Sequence, residues 1–294
     1  MGASTYSSLA AVAILLVGGP LSVALSQTGK REAEPKSVKA DGDEPDGAKQ
    51  RRAEVRKVTE QRATNMKVQL AGEHKTSGEL VRAPLYNYTD QPRRIVDATL
   101  WGWTIDGRLA GICKIERKFG LDVKTGYWQI CFGSLSPDLI NVEWADGYRF
   151  SSKKPGIVRQ PVGGALRPAE NKTARIRQIK EIASRFRSTL VDEGSGQRQE
   201  MRLLTQPLYR YDSGEGNLHD GAVFGITANG TNPDAILVIE VEKSADGQPE
   251  FVFGVTGMTQ QALIIALDDR EVWTKPQVPG PGDYDTWTWF VTDR

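Results

Sequence analysis

The chain has 294 residues, 39% of them hydrophobic and 26% charged, proportions that fit a soluble globular protein of one large domain or two small ones. Lys plus Arg number 38 and Asp plus Glu 37, so no net field draws the molecule to nucleic acid or to an anionic surface. Two cysteines and two histidines leave no ligand to spare beyond the four that one structural zinc site wants, which argues against such a site, and no glycine-rich phosphate motif is present, so no cofactor is predicted.

In chain order, residues 9–17 form an apolar run that Gly18, Gly19 and Pro20 break. Ala24 and Ser26 then place small residues at the −3 and −1 positions of a cut before Gln27, which predicts a signal peptide over residues 1–26. The run falls short of the about 20 apolar residues of a spanning helix, so no stable membrane span is expected after cleavage. Residues 27–50 hold one Val and three Ala as their only apolar side chains and read as a disordered linker. Asp41, Asp43 and Asp46 do not make an EF-hand, because Pro45 and Asp46 stand where Asp or Asn and then Gly are required.

The spacing predicts a helix over 51–67, with Val55, Val58 and Met66 near one face. A second is predicted over 173–191, where Ile176, Ile179, Ile182, Phe186 and Leu190 make a stripe; Asn171 or Thr173 caps its start and Gly194 follows its end. Each helix is followed by a polar loop, a short strand (79–83 or 201–204), a Pro-Leu-Tyr-x-Tyr segment and a longer strand (97–105 or 220–228). Asp106-Gly107 and Asn229-Gly230 read as hairpin turns into return strands at 109–117 and 235–243. Strands at 127–132, 139–144 and 148–151 find counterparts at 250–256, 263–268 and 271–274, and residues 285–292 add a last strand.

This succession is written twice. Residues 84–107 and 207–230 align without a gap at an offset of 123, with Pro, Leu, Tyr, Tyr, Asp, Gly, Thr and Gly identical. Further on, 111–116 (GICKIE) matches 235–240 (AILVIE) at an offset of 124. The predicted fold class is therefore α+β with an internal duplication, each half one amphipathic helix plus an antiparallel β-meander. The predicted boundaries are 51–160 for the first module and 169–294 for the second, with a Pro- and Gly-rich join at 153–168.

Candidate site residues come from the repeated positions. Tyr86, Tyr88, Tyr209 and Tyr211 stand two apart within each copy and face one way, as a stacking platform for a sugar or peptide or as cover for a sheet edge. Asp97 and Asp220 form either a carboxylate pair for acid/base work or two loop-closing turns; turn chemistry accounts for Asp-Gly unaided. Glu116 and Glu240 are paired likewise. Gly102 and Gly225 sit in mid-strand, where close approach of a helix is expected. His74 and His219 read as surface residues, and Ser195 lacks the strand that precedes a nucleophile elbow. Asn87, Asn171 and Asn229 begin N-glycosylation patterns. Cys113 and Cys131 face each other if their hairpin centres on residue 122, as a disulfide or as two buried thiols.

The pieces RIRQI (175–179), RLLTQPLYRY (202–211), DGAVFGI (220–226) and GTNPDAILVIE (230–240) resemble a group of exported bacterial proteins of unknown function. The resemblance implies export and no particular activity. The expected function is a non-catalytic binding or assembly module outside the cytoplasm, periplasmic or extracellular, with a protein, peptide or saccharide partner and no nucleic acid. The alternative is a carboxylate-based hydrolase with its site between the two modules.

Overall fold

The computed structural model describes residues 46–72, 76–119, 126–211 and 220–293. The predicted signal peptide, linker residues 27–45, His74 and His219 lie outside them. The described chain is mostly β, 51% strand and 13% helix, with two helices and three sheets curled into half of a barrel. That composition overturns the expected α+β class: the helices are minor covers on an antiparallel β-structure.

The chain runs α1 (Asp46–Thr64), β1 (Lys67–Leu70), β2 (Glu79–Leu80), β3 (Tyr86–Asp90), β4 (Ile95–Ile105), β5 (Arg108–Phe119), β6 (Gly126–Ser134), β7 (Ile140–Glu143) and β8 (Arg149–Ser151). It crosses the join through β9 (Gln160–Pro161) and continues with α2 (Lys172–Ser184), β10 (Phe186–Asp192), β11 (Gln197–Leu203), β12 (Tyr209–Tyr211), β13 (Asp220–Thr227) and β14 (Ala235–Lys243). It ends with β15 (Pro249–Gly257), β16 (Ala262–Leu267), β17 (Arg270–Lys275), β18 (Gly282–Asp283) and β19 (Trp287–Thr292). One sheet has the order β18-β19-β6-β5-β4-β2 with β3 also on β4, a second β17-β16-β10-β11-β13-β14-β15-β9 with β12 on β13, and a third β1-β7-β8.

The three long strands of each half form the expected meander, but the meander then breaks. β7 returns to β1 and β16 returns to β10, so the fourth strand pairs with the one that follows the helix. The trailing strands also cross over. β9, after the first half, pairs with β15, while β19, after the second, pairs with β6.

The packing runs in layers. Trp103, Cys113, Ile115 and Phe132 on one face of β4–β6 meet Ala63 and Met66 at the end of α1. Phe224, Leu237 and Phe253 meet Ile179, Ile182 and Ala183 of α2. The remaining faces of the two sheets meet each other, Leu100, Ile112 and Cys131 against Val223, Ile236, Val238 and Met258. Covered on both sides, β13 is buried at every position, and the fully buried Phe132 and Phe224 contribute about 1.5–3 kcal/mol each. The join is part of this core, with Ile157 buried among the sheet-to-sheet contacts.

Several expectations are corrected. The helix predicted over 173–191 ends at Ser184, and Phe186 and Leu190 belong to β10. A spacing of four keeps two residues on one side of a helix and equally on one side of a strand, so the pattern could not separate the two. Asn171 does cap α2, accepting from the Thr173 and Ala174 amides. Residues 46–50, read as linker, are the first turns of α1. Asp106-Gly107 makes a tight hairpin, with φ of 51° and 76°. Asn229-Gly230 instead starts the longer connection 228–234.

The disulfide register is off by one residue. Cys113 lies opposite Phe132, and Cys131 lies opposite Lys114. The two thiols therefore project from opposite faces of the sheet, one under α1 and one toward the second sheet, and both are free and buried. Burial pushes the Cys131 thiol up to about 12 and the Cys113 thiol well above its ordinary value.

Candidate functional site

The repeated tyrosines and carboxylates are internal fastenings. Tyr88 donates to Glu116 Oε1 at 2.7 Å, and Tyr211 donates to Glu240 Oε1. Burial and then the neighbouring carboxylate push both phenols well above their ordinary range. Tyr86 stacks on Tyr88 and Tyr209 leans on Tyr211 at centroid distances of 5.9 and 5.8 Å. With Tyr88 and Tyr211 buried and Tyr86 and Tyr209 packed at the sheet-to-sheet core, these rings offer no open platform.

Asp97 and Asp220 are not brought together as a pair. Asp220 is held by Arg175 of α2 at 3.2 Å and by Arg210 at 2.8 Å. Asp97 Oδ2 lies 3.7 Å from Arg56 Nε of α1, and Oδ1 accepts from the Ala98 amide at 3.0 Å. Each carboxylate anchors a helix to its sheet. Gly102 and Gly225 are approached by leucines rather than by a helix: a Cβ at Gly102 would stand 2.7 Å from Leu109 and 2.8 Å from Leu85, and one at Gly225 would stand 2.9 Å from Leu204 and 3.2 Å from Leu208. The leucine of each Pro-Leu-Tyr segment thus shares with a second leucine the place that the glycine leaves open.

What the two sheets do bring together is a polar cleft of about 330 Å³. Side-chain alternation builds its first wall. Lys114, Cys131 and Trp289 face one another across β5, β6 and β19, and Glu116 pairs with Gln129 one step further along. The same face changes from apolar contact at Ile112 and Gly133 to charge at Lys114, Glu116 and Lys118. The second wall comes from connection 228–234, the turn at 258–261, Leu190 and Gln199.

The charged groups at the cleft are extensively tied. Lys114 is buried and donates to Asn232 Oδ1 at 3.1 Å, to the Pro233 carbonyl at 3.0 Å and to the Met258 carbonyl at 2.8 Å, using all three of its N–H bonds. Arg93 grips buried Asp234 with two bonds, 2.8 and 2.9 Å, which joins the β3–β4 turn to connection 228–234. Glu116 also accepts from Gln129 at 3.0 Å, and Gln129 in turn accepts from Lys118 at 3.2 Å. Burial holds the Lys118 ammonium below its ordinary range; Glu116 opposes that shift, and Lys114 and Arg93 add to it. Asp90 is raised, by burial first, against the pull of Arg93. Behind the cleft, Lys275 donates to the Gln261 and Pro276 carbonyls at 3.0 Å each and sits 5.2 Å above the Trp287 ring; burial lowers it to about 8.

The sequence reading missed Lys114, Lys118, Arg93 and Asp234. One signal was present: GICKIE places Lys114 and Glu116 at alternate positions of an otherwise apolar stretch, where the second copy has Val238 for Lys114. Among the described residues, no group of three or more His, Cys, Asp or Glu side chains is placed to hold a metal ion. No described helix is long and apolar enough to cross a membrane. Comparison with protein-family models, curated proteins and solved structures finds no match to this chain.

Proposed function

We propose that this is an exported, non-catalytic binding protein with two halves from one duplicated unit, and that the cleft between its sheets seats a small polar ligand. One observation carries the binding reading: apart from Lys118, the ionisable groups in the cleft wall are committed to the protein, while amides and indoles line the space. Lys114 has no N–H left, Asp234 is gripped by Arg93, and Glu116 is shared between Tyr88 and Gln129. A hydrolase needs a carboxylate that reaches its substrate. Asp90 has the raised affinity for a proton, but it is 1% exposed and lies under Gly230. The duplication is supported by matched pairings: β3–β4, β4–β5, β5–β6, β1–β7 and β7–β8 correspond to β12–β13, β13–β14, β14–β15, β10–β16 and β16–β17. Export is supported by the apolar run and cut motif before Gln27 and by the resemblance noted above.

The test is a screen of the full chain against neutral and charged sugars, amino acids and short peptides, read by melting temperature and by the fluorescence of Trp287 and Trp289. A saturable ligand whose signal disappears in Trp289→Ala, without turnover, is expected. No response across the panel, or turnover of a bound solute, refutes the reading. Amino-terminal sequencing of the mature protein checks export, with Gln27 expected first.

A further inference from the structure

We propose that the cleft ligand is a small hydroxylated anion, a sugar acid or sugar phosphate, whose charged group sits beside Lys118 and Arg93. The inference rests on the cleft being a binding site and goes on to name its ligand class. Three cations, Arg93, Lys114 and Lys118, line the space with one carboxylate, Asp234; the other two nearby carboxylates are turned into the protein, Glu116 onto Tyr88 and Gln129 and buried Asp90 toward Arg93. Arg93 already holds both Asp234 oxygens, and Lys114 is solvated by three neutral oxygens. Lys118 touches only the Gln129 amide oxygen among the described residues, which leaves two N–H bonds for a ligand.

The second half shows how the same place looks when its charges are closed on each other. There Glu240 takes Tyr211 and Arg159, and Arg108 of the first half bonds Glu242. Arg159, with 12% of its side chain exposed, fills the position. In the first half the strand position that matches Glu242 is Lys118, at the same offset of 124 that relates Glu116 to Glu240. A cation therefore stands where the second half has an anion, and the space beside it is open. An anion from outside would stand to Lys118 as Arg159 stands to Glu242, the counter-charge in the space beside it. Its charge would favour the Lys118 ammonium against the burial that lowers it, adding to the pull of Glu116.

Size and lining set the rest of the ligand. The volume lies at the small end of ligand pockets, which run from about 300 Å³ upward, and suits one sugar ring. Gln199 offers an acceptor, its amide N–H bonds being spent on Ala228 and Asn229, while Thr259 and Gln260 bring donors and acceptors, the combination that hydroxyl groups need, and Trp289 offers an aromatic wall.

The experiment measures binding of D-glucuronate, D-glucose 6-phosphate and D-glucose to the full chain at low salt, by calorimetry and ligand-observed NMR. At least one anion should bind about tenfold tighter than glucose, the range of one charge-assisted hydrogen bond, and comparing the two anions tells carboxylate from phosphate. Lys118→Gln should abolish that preference while leaving the melting temperature unchanged. Equal or tighter binding of glucose, absence of binding by both anions, or an anion preference that survives Lys118→Gln overturns the proposal. Binding of neutral solutes alone leaves the cleft as a binding site and removes only the anion.

Discussion

The buried Tyr–Glu pairs are the clearest residue-scale test, because they differ in what remains when the phenol is lost. Glu116 keeps Gln129, whereas Glu240 keeps Arg159 and the nearby Arg108. Tyr88→Phe should cost about 2–3 kcal/mol and Tyr211→Phe about 1 kcal/mol less, measured by chemical denaturation. Equal losses would show that the arginines contribute nothing to Glu240. Lys275 gives a pH signature. Its folded value of about 8 lies below the unfolded value of about 10.4, so below pH 8 both states hold the proton and stability is flat. Between those values the unfolded state binds more protons, and stability rises with pH, by at most about 3 kcal/mol. The rise should be absent from Lys275→Met in denaturation series across that window. The cysteines make a third test: thiol labelling of the denatured, unreduced protein should find two reactive thiols per chain and none in the native state.

At the scale of elements, pairs of leucines explain the mid-strand glycines. Leu85 with Leu109 and Leu204 with Leu208 lie over Gly102 and Gly225 where a Cβ would collide, so Gly102→Ala and Gly225→Ala should each cost about 1–3 kcal/mol. Gly163→Ala meets nothing within 4 Å and should be close to neutral, which makes it the control. Losses at Gly102 and Gly225 no larger than at Gly163 would show that the leucines do not set the cost. The helices are fixed by charge as well as by their apolar stripes, through Asp97 with Arg56 and Asp220 with Arg175 and Arg210.

At the scale of the whole molecule, the halves are joined by crossed edge strands and by the Arg93–Asp234 grip. Arg93→Ala leaves Asp234 buried without its partner and should destabilise the protein by about 3–5 kcal/mol. Arg93→Ala combined with Asp234→Ala should lose less than the two single losses together, a coupling that a double-mutant cycle reads directly. Additive losses would mean that the ion pair does not hold the halves.

Local patterning was enough to read most strands, the Asp106-Gly107 turn and the Asn171 cap, because strand alternation, turn conformation and capping depend on residues a few positions apart. It failed where two periods coincide, as at Phe186 and Leu190, and where one residue of register decides the face, as at Cys113 and Cys131. The repeated Tyr, Asp and Glu were visible as repeats, but repetition does not tell a fastening from a site. The cleft itself was not legible. Arg93 and Asp234 are 141 residues apart, and Lys114 and Met258 are 144 apart. Which charges are satisfied by distant carbonyls and amides, and which face open space, depends on how the two sheets stack, and only the tertiary structure decides that.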